Sequence, residues 1–112
     1  MDWNDHNRDM RAKIREMNKL IPETVSGFGT LSKAVKDNGT LDLKTKEFIA
    51  VAIAITDRCE ACIGFHIEAL KRAGASREEL ADVLAMSIQM GGGPSLMYSA
   101  KALEAWDQLA DK

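Results

Sequence analysis

Between Cys59 and His66 the chain reads C-E-A-C-I-G-F-H, which places both of its cysteines and one of its two histidines within two helical turns. At about 100° per residue, Cys59, Cys62 and His66 fall within about 60° of one another on one helical face. Two cysteines at i and i+3 lie within the usual Cα separation for a disulfide, about 4.4–6.8 Å, so the pair can open and close without refolding. A helix N-terminus also favours the thiolate, the form of cysteine that attacks peroxides and disulfides. A neutral imidazole acting as a base needs its other nitrogen held in one tautomer, ordinarily by a carboxylate or carbonyl. Glu47 is the candidate. If the turn between two antiparallel helices is centred on Asp57, Glu47 lies ten residues before it and His66 nine after it. At about 1.5 Å rise per residue the two are level, roughly 14 Å from the turn. The expected order from inside to outside is Glu47, His66, Cys62, Cys59.

These residues need helices to carry them, and the rest of the chain supplies helical patterns. Asp42 can cap a helix from Leu43 to about Thr56, whose second half, Phe48 to Ile55, is apolar nearly all round and is expected to be buried. The cysteine helix begins at Cys59 or one residue before it and stops at Gly74. Upstream, Met10, Ile14, Met17 and Ile21 form an apolar stripe on a helix from Asp5 to Ile21, which Pro22 ends. Val25, Phe28, Leu31 and Val35 continue the period on a second helix opened by Pro22 and stopped at Asn38-Gly39. Downstream, Ser76 and Glu79 form a capping box for a helix carrying Leu80, Val83, Leu84 and Ile88. After Gly91-Gly92-Gly93, Pro94 opens a last helix with a stripe of Leu96, Met97, Ala100, Leu103 and Trp106. No segment alternates with period two, so the fold class is all-α, about six helices in a single domain spanning 1–112, with short connections that make neighbours antiparallel. Met86, Met90 and Met97 are expected as core filler. Trp3 and Trp106 are expected to serve packing or subunit contact, and His6 to be solvated.

Composition removes several functions. Fifteen basic and seventeen acidic residues are interspersed for a net charge of −2, with no basic patch for nucleic acid or a membrane surface. The longest apolar run, Phe48 to Ile55, is far short of the roughly 20 residues that cross a bilayer. The first residues lack the basic and apolar regions of a secretory signal, so a cytoplasmic location is expected. In that reducing compartment a short-loop bridge between Cys59 and Cys62 has little value as a staple, and a chemical use is favoured.

Glu47, eleven residues, C-E-A-C, three residues and His66 together resemble the E-x11-C-x-x-C-x3-H signature of the alkylhydroperoxidase-D-like proteins of the carboxymuconolactone decarboxylase family. Pro22-Glu23 ahead of Phe28 and Leu31, the run from Leu43 to Ala54 with Lys46-Glu47, Gly74 and Ser76-Glu79 extend the resemblance over most of the chain. It implies an all-helical core assembling into trimers or hexamers, a Cys59–Cys62 pair cycling between dithiol and disulfide, a proton relay at His66 and a supporting carboxylate at Glu47. It implies no cofactor beyond that redox-active disulfide, no metal, a small peroxide or disulfide as substrate, and a thiol reductant as partner. Ala61 stands where the family's best-studied peroxidase has a histidine, and the core occurs once here where that enzyme has it twice. Both departures favour dithiol–disulfide chemistry over peroxidase activity in particular.

Other readings of the same residues are a non-redox decarboxylase or isomerase on a small lactone acid with His66 and Glu47 as its acid–base pair, and a helical assembly module with vestigial chemistry. A zinc site would use Cys59, Cys62, His66 and Glu47, although structural zinc usually draws on two separated ligand pairs. The dithiol oxidoreductase is the leading expectation, with a hexamer as its assembly.

Overall fold

The computed structural model describes residues 1–109; the last three residues of the expected 1–112 domain lie outside the described residues. Six helices follow in order: α1 (Trp3–Leu20), α2 (Pro22–Asp37), α3 (Leu43–Thr56), α4 (Glu60–Arg72), α5 (Arg77–Gly91) and α6 (Gly93–Gln108), with no strand among the described residues. The all-α expectation holds. Helix starts are set by side chains that satisfy the unpaired N–H groups of the first turn. Asp42 accepts from the Thr45 N–H at 2.8 Å, and Ser76 and Glu79 form the reciprocal capping box. The first helix opens earlier than the expected Asp5, because Asp2 caps it through the Asp5 N–H and brings Trp3 into its first turn. The cysteine helix opens slightly later than expected, at Glu60, with Cys59 as its N-cap.

Helices α3 and α4 form an antiparallel pair at the centre, and the α5–α6 pair packs against it. The core runs through Val51, Ala54 and Ile55 of α3, Ile63, Ile67 and Leu70 of α4, Leu80 and Leu84 of α5, and Ala102, Ala105 and Trp106 of α6. Helix α1 closes one side. Trp3 is fully buried, its indole N–H donating to Glu104 at 2.7 Å, and Asn7 is buried against α4. The side chain of His6, expected to be solvated, is half-buried edge-on to the Trp3 ring.

Several apolar faces point outward. The expected stripe of α6 divides: Trp106 is buried and Leu103 packs against the core, but Leu96 and Met97 are exposed, and Ser95, Ser99 and Ala102 face inward, where small side chains let helices approach closely. Met86, Met90 and Met97 do not fill the core; Met90 is 75% exposed. The stripe of α1 is likewise marginal, since its buried residues are Trp3 and Asn7 and Met17 is exposed. On α3, Ile49 and Ile53 are exposed although the helix was expected to be buried all round. Helix α2 has no buried residue at all, and Phe28, Leu31 and Val35 lie open, Phe28 at 70%. It stands off the core as an arm. The radius of gyration, 14.3 Å, accordingly exceeds the about 13 Å expected for a globule of this length. Hydrophobic periodicity marks the face of a helix that avoids water, and it cannot say whether the same chain provides the cover.

Candidate active site

The site is built on the turn between α3 and α4. Asp57 ends α3, Arg58 takes a left-handed conformation at φ 57°, and Cys59 follows extended. The Cys59 N–H donates to the Ala54 carbonyl at 3.0 Å and the Arg58 N–H to the Ile55 carbonyl at 3.1 Å, the pair of bonds that makes a Schellman cap. Cys59 thus closes α3 and opens α4 at once. Its sulfur accepts from the Cys62 N–H at 3.2 Å, and the two cysteines form a disulfide with Cα atoms 5.2 Å apart.

Seven residues further in, His66 and Glu47 meet. His66 Nδ1 and Glu47 Oε1 are 2.7 Å apart. Glu47 is buried, with 2% of its surface exposed, while His66 keeps a partly open ring. Burial pushes the carboxyl pKa of Glu47 up, but the hydrogen bond to His66 and the charges of His66 and Lys36 outweigh it and hold the group below its ordinary 4.5. Ionised, Glu47 can only accept, so Nδ1 of a neutral His66 carries the proton and Nε2 presents a lone pair.

A cavity of about 270 Å³ opens over this line, bounded by Ala50, Ile53, Ala54, Asp57, Cys59, Cys62 and His66. Sulfur and imidazole therefore share one solvent-reachable space with apolar walls. A second groove of about 290 Å³ between α2 and α3 meets the first at Ala50 and His66. Among the described residues no group of three or more His, Cys, Asp or Glu side chains could hold a metal ion.

A family model described as the carboxymuconolactone decarboxylase family matches residues 22–105. The chain belongs to that family. It is 44% identical to lpg0406 of Legionella pneumophila, a solved carboxymuconolactone decarboxylase family protein, with a TM-score of 0.91 and 95% of each chain covered. A family protein of Thermotoga maritima, for which a part in the antioxidative response has been suggested, matches with TM-score 0.70 at 27% identity over 86% of this chain and 88% of that one. An uncharacterized protein of Cupriavidus necator is 40% identical over 108 residues, 90% of this chain and 96% of the relative. One from the cox locus of Paracoccus denitrificans is 35% identical over 98 residues, 88% of each. The family match begins at α2 and leaves α1 outside it, whereas the 95% overlap with the Legionella structure leaves too little of the chain uncovered to omit the 18 residues of α1.

Two features at the site carried no sequence signal. Lys36, on α2, lies 3.7 Å from Glu47 Oε2, and nothing in its spacing singles it out from Lys33, the other lysine of the arm. Ile53, Ala50 and Asp57 line the cavity from α3, where they read only as part of an apolar run and its end.

Proposed function

We propose that the protein is a thiol-dependent oxidoreductase whose working group is the Cys59–Cys62 pair, served by the His66–Glu47 relay. The observation that carries this reading is that a disulfide at a helix N-terminus opens into the same cavity as an imidazole whose far nitrogen is held 2.7 Å from a buried carboxylate. In the dithiol state, Nε2 of His66 takes the proton of a cysteine thiol, and Glu47 stabilises the imidazolium that forms. With a hydroperoxide, the thiolate attacks the terminal oxygen: an S–O bond forms, the O–O bond breaks, and the leaving alkoxide takes the proton back to depart as an alcohol. The second thiol then attacks the sulfenic sulfur, forming the S–S bond and releasing water, so the dithiol gives up two electrons and the peroxide gains them. With a disulfide substrate, two exchange steps through a mixed disulfide produce the same internal bridge and two substrate thiols. A thiol donor closes the cycle by the reverse exchange.

The same reading includes assembly and place. The open apolar side chains of α2, α3 and α5 support a trimer or hexamer, since single chains seldom leave so much contiguous apolar surface in water. A cycle that ends on a thiol donor suits the reducing cytoplasm, and no described helix is long and apolar enough to cross a membrane. The test is the intact mass of the reduced protein before and after one equivalent of an alkyl hydroperoxide. Loss of two hydrogens, with an internal Cys59–Cys62 bridge by peptide mapping, is the expected result. Persistent sulfinic acid on one cysteine beside a free partner, or no reaction, would overturn the reading.

A further inference from the structure

The relay uses one oxygen of Glu47, and the carboxylate has two. Oε1 faces His66, whereas Oε2 is buried without a hydrogen-bond partner among the described residues, and the cation beside it is Lys36 at 3.7 Å. An ionised carboxylate oxygen shut away from water is costly unless a charge answers it. That charge arrives from α2, the arm that buries none of its own residues.

The end of α2 is fastened where this happens. Lys46 of α3 sends its ammonium to the carbonyls of Val35, at 2.7 Å, and Asn38, so the last turn of α2 is tied down beside Glu47. Between the two helices lies the groove walled by Phe28, Leu31, Val35 and Lys36, which reaches His66. The charged groups facing Glu47 are His66 from α4 and Lys36 from α2. Lys46, next to it on α3, is turned to the α2 carbonyls, and Lys44 is taken by Glu79 of α5.

We propose that Lys36 is a positioning residue of the dithiol site, its ammonium holding the second oxygen of Glu47 so that the arm α2 forms part of the relay. The inference rests on the His66–Glu47 reading given above and adds a third member from a different helix. Its effect on the chemistry has a sign. With Lys36 present, the carboxylate divides its charge between a permanent cation and the imidazole. Without it, one of the charges that hold the Glu47 carboxyl below 4.5 is gone, so Glu47 takes up a proton at higher pH than in the wild-type protein. A protonated Glu47 cannot stabilise the imidazolium, so fewer molecules at a given pH hold a relay able to take a proton from a thiol.

The experiment measures the rate of dithiol oxidation by an alkyl hydroperoxide from pH 5 to pH 9 in the wild-type protein, Lys36→Gln, Lys36→Arg and His66→Ala. In Lys36→Gln the acid limb of the profile is expected to move to higher pH. Rates should be about 3–10-fold lower on that limb and equal to wild type above it. Lys36→Arg should restore the wild-type limb. Because the Lys36 side chain is 42% exposed, folding should survive both substitutions, and thermal unfolding checks this. A Lys36→Gln profile that overlays wild type while His66→Ala is slowed would overturn the role of Lys36 and leave the relay standing. A fall that is uniform across pH and not restored by arginine would mean that Lys36 only braces α2, and would overturn the proposal as well. A His66→Ala variant as fast as wild type would remove the relay itself, and Lys36 with it.

Discussion

Glu47 and Glu68 are both buried carboxylates, 2% and 8% exposed, on neighbouring helices of the same central pair. Their surroundings differ. Glu68 is surrounded by donors: Arg11 and Arg72 reach Oε1 and Asn7 reaches Oε2, and Arg11 also stacks over the Phe65 ring. Asn7 in turn donates to the Gly64 carbonyl at 3.0 Å, so the cluster clasps α1 onto α4. Glu47 has one hydrogen bond, to a group that can change its protonation state, and one oxygen left for a more distant lysine. Both carboxyls are lowered from 4.5: burial raises each of them, and the partners overcome it. A carboxylate enclosed by permanent donors is a fastening, because no proton can move without breaking it. One that faces an imidazole at an open cavity can pass charge while the backbone stays still.

The contrast can be broken most severely at the sulfurs. Cys59→Ser and Cys62→Ser should each abolish the internal bridge and lower turnover with hydroperoxide to background, while the far-UV spectrum is retained; hydroperoxide turnover surviving in the double variant would contradict the role of the cysteines. At the fastening, Glu68→Gln should cost about 1–3 kcal/mol by urea unfolding, since Arg11 and Arg72 lose the charge they were paired with. Its rate of dithiol oxidation should match wild type, the reverse of what is expected at Glu47.

Acid sharpens the same difference. A carboxyl whose folded pKa is depressed contributes stability that is fully present above the unfolded value, near 4.5, and is lost as pH falls through the folded value. Wild type should therefore lose stability steadily below pH 4.5, and Glu68→Gln should show a shallower loss over that window. Gly64→Ala attacks the clasp from beneath: a Cβ there would stand 2.1 Å from Asn7 Oδ1, and overpacking of this kind costs about 1–3 kcal/mol. The smallest effect is expected at the site turn. Arg58 holds the left-handed position that Gly74 holds at the end of α4, so Arg58→Gly should stabilise by about 1 kcal/mol, read from the thermal midpoint.

The central pair was legible because its physics is local. Counting at 1.5 Å per residue from the turn sets Glu47 level with His66, and the i, i+3, i+7 spacing sets the sulfurs above them. Caps at Asp42 and Ser76 were equally plain, since each needs only a side chain within three residues. The clasp was not legible. Asn7, Arg11 and Glu68 lie on helices far apart in sequence, and nothing in a polar residue's neighbours tells that it will be enclosed. Lys36 was hidden for the same reason. The apolar face of α2 and the first turns of α6 lie outward because an apolar stripe does not say which chain covers it; the small residues Ser95, Ser99 and Ala102 that face inward carry a weaker hydropathy signal than Leu96 and Met97. Arg58 was missed because a left-handed cap is ordinarily announced by glycine.

The central claim is that Glu47 and His66 act as one unit on the cysteine pair. Stopped-flow oxidation of the reduced protein at pH 7, in wild type, Glu47→Gln, His66→Ala and the double variant, tests it directly. Each single substitution should slow formation of the bridge by about 10 to 10⁴-fold, the scale of general acid–base effects. The double variant should be slowed by less than the product of the two, because removing either member already disables the unit. Equal rates in all four proteins would contradict the claim and leave activation to the helix N-terminus alone.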